Sequence, residues 1–181
     1  MDVRRVVTGH NDKGKAVFAS DELVKPVTVQ LLPGAEFHRL WGGDEAPKFP
    51  DDGGQPPHAT YFPPIGGFRF GLFMIPPATT VPAEDLDLAA AMAEMEAKMP
   101  GLAGHIEADH PGMHTTATID FEYVISGSIT LELDDGAEVL LKAGDTVVQN
   151  GTRHAWRNKG TEPCQLVVAI CGAHHATEPS S

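Results

Sequence analysis

Asp120, Glu122 and Val124 alternate along the stretch Ile-Asp-Phe-Glu-Tyr-Val-Ile, which on a strand places all three side chains on one face. A second carboxylate on an interior face is costly unless it meets a cation, a hydrogen-bond donor or water. On a rim, Glu122 would instead be simply solvated. Further along the chain His154 and Trp156 share strand parity, which sets an imidazole beside an indole that can wall an apolar pocket. Packing of Trp156 against a Pro-rich loop accounts for it equally well. Carboxylates and imidazoles brought together support proton transfer or metal ligation.

The elements that must position these groups are short. Dense strand signals begin after residue 118, over residues 119–126, 128–133, 137–141, 146–149, 155–158 and 165–171. They are separated by Ser-Gly, Asp-Asp-Gly, Ala-Gly-Asp, Asn-Gly and Lys-Gly turns, the pattern of a sandwich or barrel. Nineteen Gly and fifteen Pro suit many short strands joined by tight turns. Upstream, residues 2–20 read as a hairpin turning at 11–14. Residues 27–32 and 37–41 read as strands, and 42–64 as a long loop rich in Gly, Pro and Asp. Residues 67–75 alternate with Phe68, Phe70, Leu72 and Met74 on one face. A helix is predicted over 82–98, opened by Pro82 and carrying a stripe of Leu88, Met92, Met95 and Met99.

The segments PGMHTTATIDFEYVISGSITLELDDG and LLKAGDTVVQNGTRHAWRN resemble the two motifs of the cupin superfamily. Fitted back from Gly127, the family's two His positions fall on His114 and Thr116, and its Glu position on Asp120. In the second motif Gly144, Gly151, His154 and Asn158 match, while Gln149 stands in place of the Pro and the preceding spacer is one residue short. The resemblance implies an all-β fold, a double-stranded β-helix (cupin or jelly-roll barrel) with extra N-terminal strands and one helix near 82–98. Residues 1–176 would form one domain, with 112–172 holding the barrel motifs and 177–181 a disordered tail. It also implies a candidate metal set of His114, Asp120 and His154, suited to Fe, Mn, Ni or Zn. With Thr116 in place of the second His, His110 or His105 is a candidate replacement from the preceding linker, though linker histidines are usually surface residues. In the alternative, His114 and His154 are interior histidines satisfied by hydrogen bonds, with Asp120 pairing one of them, and no metal is bound.

Two readings of function stand side by side. The first is a metal-dependent enzyme of lyase, isomerase or dioxygenase type acting on a small organic molecule, with Glu122 as proton shuttle or further ligand. Pocket walls are expected from Thr116, Phe68, Phe70, Val124, Ile129 and Trp156. The second is a metal-free, non-catalytic small-molecule-binding cupin. His38 and Trp41 beside the long loop are weaker pocket candidates, and His174 and His175 near the C-terminus look incidental.

Bulk properties limit the remaining classes. A net charge of −12 argues against nucleic acid, which needs clustered Lys and Arg. No run of about eighteen apolar residues suggests a membrane span, and residues 1–12 lack the apolar core of a signal peptide. Cys164 and Cys171 fall on opposite faces of one strand and cannot bridge each other, so free thiols and a cytoplasmic location are expected. A homodimer is expected, formed through the N-terminal strands and the methionine-faced helix.

Overall fold

The structure, a computed structural model, describes residues 2–176, so the tail expected to fray from Thr177 lies outside the described residues. Strands Val3–His10 (β1) and Ala16–Val24 (β2) pair antiparallel as a two-stranded sheet of their own. The Asn11 side chain closes the turn between them by accepting from the backbone N–H groups of Lys13 and Lys15. There follow Glu36–Gly43 (β3), Phe68–Ile75 (β4), the helix Leu88–Lys98 (α1), Thr118–Ser126 (β5), Ser128–Glu132 (β6), Glu138–Lys142 (β7), Thr146–Asn150 (β8), Ala155–Arg157 (β9) and Cys164–Gly172 (β10).

A five-stranded sheet runs β3-β4-β10-β5-β8 and faces a three-stranded sheet β7-β6-β9, all pairs antiparallel. Val124 of β5, Ile129 and Leu131 of β6, Leu141 of β7, and Cys164 and Leu166 of β10 meet between them as one buried cluster. The all-β barrel expectation is met, and from β5 onward each strand lies within one residue of its predicted bounds. Cys164 is buried and Cys171 half-buried on the opposite face of β10, and both are free thiols.

Four expectations are corrected. Residues 27–32 form no strand; only the bridge of Val27 to Phe37 forms there, because turns closed by Leu32 N–H to Val29 and Ala35 N–H to Leu32 bend the chain away. The helix begins at Leu88 rather than Pro82, because the Asp87 side chain caps it by accepting from Ala90 N–H. Its buried face is Ala91, Met95 and Met99, while Leu88 and Met92 point to solvent. Met95 and Met99 pack on Val29, Tyr61 and Leu102 in a second core cluster, so the methionine face covers this molecule's own barrel mouth.

The fourth correction concerns β4, whose inward face carries Arg69, Gly71, Phe73 and Ile75, leaving Phe70 exposed on the other side. A charged residue in mid-strand suggests an outward face, but Arg69 is buried. Its guanidinium donates to the carbonyls of Gly43 (2.8 Å) and Thr60 (2.9 Å) and to Asp44 (2.6 Å). Those bonds hold the ends of the long loop over residues 44–67 against the sheet, and Tyr61 N–H adds a bond to the Pro100 carbonyl. The loop is therefore a built wall.

Candidate functional site: an apolar cavity with a carboxyl and imidazole floor

The barrel holds an open-mouthed cavity of about 450 Å³, within the size range of small-molecule sites. Its walls are mainly aliphatic, aromatic and proline side chains, among them Leu31, Phe37, Tyr61, Phe62, Phe73 and Trp156. Two carboxyls and two imidazoles interrupt that surface: Asp120, Glu122, His114 and His154. The one guanidinium on the lining, Arg157, is held by Glu132 (2.7 Å) and the Pro111 carbonyl (2.6 Å).

Sheet register explains why the carboxyls are dry. Asp120 lies between Ile170 of β10 and Gln149 of β8, and Glu122 between Val168 of β10 and Val147 of β8. Asp120 is 5% and Glu122 9% exposed, and each has an oxygen, Oδ1 and Oε2, without a hydrogen-bond partner. Burial pushes the Asp120 carboxyl up to about 6 against the opposing hydrogen bond from Thr118. Burial, and then the charge of Asp120, pushes Glu122 up to about 8. The two carboxyls thus straddle neutral pH, one ionised and the other protonated.

The histidines are brought together by the backbone. His114 and His154 exchange both N–H to carbonyl bonds at 3.0 Å, which sets their side chains side by side with ring centroids 4.2 Å apart. Nδ1 of His114 lies 3.0 Å from the Gly112 carbonyl, and Nδ1 of His154 lies 2.9 Å from the Thr152 carbonyl. A carbonyl only accepts, so the Gly112 contact assigns the proton of His114 to Nδ1 and leaves its Nε2 as an acceptor, whereas His154 Nδ1 also meets a donor, the Gln149 amide nitrogen, at 3.0 Å. Burial holds His114 below the usual imidazole range. The same cause, with His114 as neighbour, pushes His154 down to about 4. Gln149 donates to Thr152 Oγ1 at 2.5 Å beneath this ring. Asn158 pins the following turn by donating to Ile75 and Glu162 and accepting from Gly160.

Other predicted pocket residues fall elsewhere. Thr116 is buried away from the cavity, its hydroxyl 2.8 Å from that of Thr118. Val124 and Ile129 belong to the closed core, which the two sheets fill completely at that end of the barrel. Phe68 and Phe70 lie on the outer face of β4, and Trp156 is the predicted wall residue that lines the cavity. His110 is exposed beside Glu107. His105 stands behind Phe62, with its Nδ1 3.1 Å from the Thr115 carbonyl, so neither occupies the place of Thr116. His38 is buried on β3 and Trp41 lies under the Arg5 guanidinium, both off this cavity. His175 lies 3.1 Å from the Gly151 carbonyl.

Tyr61, Phe62 and Phe37 had no sequence signal as walls. Tyr61 and Phe62 sit in the loop that Arg69 anchors, and only the aromatic pair within a Pro-rich stretch hinted at them. Burial pushes the Tyr61 phenol well above its usual range, so it stays a neutral hydroxyl.

A metal centre needs at least three donors around one point. Among the described residues no three His, Cys, Asp or Glu side chains are so arranged. His114 and His154 converge on each other, while the carboxyls on β5 do not complete a set with them. The donors as placed do not fit the expected three-ligand ion.

The Cupin_2 family model, described as a cupin domain, matches residues 103–170. Oryzines biosynthesis cluster protein J of Aspergillus oryzae is 49% identical over 53 residues, 27% of this chain and 30% of that protein. The cupin-domain-containing oxidoreductase virC of Hypocrea virens is 34% identical over 58 residues, 30% of each chain. The matched stretch thus spans under a third of either relative. Among solved structures, a predicted oxalate decarboxylase from Thermotoga maritima superposes with a TM-score of 0.45 at 14% identity, covering 82% of this chain and 93% of that one. Residues 103–170 match a cupin domain, and the barrel they help to build has the cupin fold.

Proposed function

We propose that the cavity binds a small, uncharged, largely apolar organic molecule and moves a proton on it, as an isomerase or a lyase does. The observation that supports this reading is the pair of dry carboxyls on one strand face, at the floor of an apolar cavity. Environments that push two like groups to either side of neutral pH create a base and an acid from the same chemistry. Asp120 is the base and takes a proton from the substrate. Glu122 is the acid and delivers its own proton to the oxygen or carbon that gains electron density. His114, neutral and with Nε2 free to accept, holds a substrate hydroxyl beside the neutral ring of His154. An anionic substrate is disfavoured, because Arg157 is already engaged by Glu132 and the ionised Asp120 repels it.

The test uses neutral, enolisable aryl ketones as probes, incubated with the protein in D2O and followed by NMR. The expected result is exchange at the carbon beside the carbonyl. Its rate should rise through about pH 6 and fall above about pH 8, the values of Asp120 and Glu122. Asp120→Asn should lower the rate by roughly 10²–10⁴-fold. Binding of the same ketones without exchange at any pH favours the second reading, a non-catalytic binding cupin, which the apolar walls also suit. Neither binding nor exchange overturns both.

A further inference from the structure

β3 brings a guanidinium to the inner side of the barrel. Phe37 lines the cavity, and Arg39, two residues on, takes the same side, directly across from Gly71 of β4 and, beyond it, Val168 of β10. There Arg39 borders a small pocket of about 20 Å³ whose walls also include Trp41, His58, Arg69 and Gly71. Tyr61, Phe73, Val168 and Ile170 line both this pocket and the large cavity, and so form the partition between them.

The charges around the small pocket are of one sign. Among the described residues no carboxylate lines it, while two guanidiniums and an imidazole do. Arg69 has spent its donors on the carbonyls of Gly43, Phe68, Thr60 and Tyr61 and on Asp44, so it adds positive field without a free N–H. Arg39 is the opposite case, because its Nη2 is buried and has no hydrogen-bond partner. A buried charged donor left unpaired is costly. Burial, and then the charge of Arg69, holds Arg39 below the usual guanidinium range. Burial lowers the His58 imidazole too, and Arg39 and Arg69 push it further down against the opposing Pro56 carbonyl and Asp44.

Water would satisfy the Arg39 nitrogen and leave its charge unanswered, whereas an anion meets both needs. A pocket of this size admits about one water-sized particle, which excludes phosphate, sulfate and the carboxylate of an organic acid. We propose that a single monatomic anion, chloride in ordinary solution, binds in this pocket on Arg39 Nη2. His58 and Tyr61 come from the loop over residues 44–67, and Arg39 and Trp41 from β3 at the edge of the sheet. The ion therefore ties to the sheet the same loop that walls the large cavity. Asp120 and Glu122 line only the cavity beyond the partition, so the site is independent of the reaction proposed above.

Two measurements on the purified protein test this, the first without any variant. Crystals soaked in sodium bromide and measured at the bromine absorption edge should show an anomalous peak within hydrogen-bonding distance of Arg39 Nη2. In solution, the melting temperature in sodium chloride should exceed that in sodium gluconate at equal ionic strength. The excess should grow with the logarithm of chloride concentration above Kd. Gluconate is too large for the pocket and controls for screening. Arg39→Gln should weaken the apparent chloride affinity at least roughly ten-fold. Lys142→Gln, which removes an exposed cation on β7, should leave it unchanged. Circular dichroism checks that both variants keep the barrel, and if Arg39→Gln does not fold, the bromide map and the wild-type salt comparison decide. No bromide at Arg39, or a chloride effect that Arg39→Gln leaves intact, overturns the assignment. A bromide peak without any chloride effect in solution marks an adventitious ion only, and overturns it as well.

Discussion

Glu122 is a buried carboxyl whose ionisation the fold resists, and the sign of its effect on stability follows. Its carboxyl is raised in the folded state to about 8 from an ordinary value of 4.5. The stability it contributes is therefore complete below about pH 4.5 and lost as pH rises through about 8. His154, pushed down to about 4, acts in the opposite direction. Its contribution is present above about pH 6.5 and lost as pH falls through about 4. Glu122→Gln removes the first effect alone. Thermal unfolding of this variant should match wild type near pH 5 and exceed it at pH 8.5, by on the order of 2 kcal/mol. Equal stability differences at both pH values would mean that Glu122 is solvated in the folded protein. That Asp120 and Glu122 share a face was legible in their spacing. The desolvation was not, because it comes from Ile170, Val168 and Val147 on strands distant in the chain.

At the scale of elements, α1 and β4 show where periodicity reaches its limit. Spacings of four and three place Leu88, Met92, Met95 and Met99 on one helical stripe, yet the packed side is Ala91, Met95 and Met99. The Asp87 cap decides where the helix starts, and contact with Tyr61 and Val29 decides how it is rotated. Met95→Ala should therefore cost roughly 2–5 kcal/mol in chemical denaturation, and Met92→Ala under about 0.5 kcal/mol. Similar costs for the two would contradict this rotation. β4 has two apolar faces, so alternation reports a strand without saying which side is inside. Arg69 tips the guess the wrong way, since it is buried by carbonyl acceptors supplied by a loop.

At the scale of the molecule, the proposed function makes the cavity select by charge. Two neutral imidazoles, a protonated Glu122 and an ionised Asp120 line the cavity, with no uncommitted guanidinium on the lining among the described residues. A neutral aryl ketone should raise the melting temperature in proportion to the logarithm of its concentration above Kd. The matching aryl carboxylate should raise it far less at pH 7.5. Equal stabilisation by both would place a cation in the site that these residues do not supply.

From the residues alone came the strand run from β5 to β10, its Gly-rich turns, the cupin motifs and the shared face of Asp120 and Glu122. These are local: a turn needs its own glycine, and alternation needs only its own strand. The tertiary structure decided which face of β4 turns inward and which loop residues wall the cavity. It also decided that His114 meets His154 while Thr116 turns to Thr118, and that Phe70, Phe121 and Val148 on the outer sheet face stay exposed. Each of these depends on partners brought from far along the chain, and local spacing holds no information about which partner will arrive.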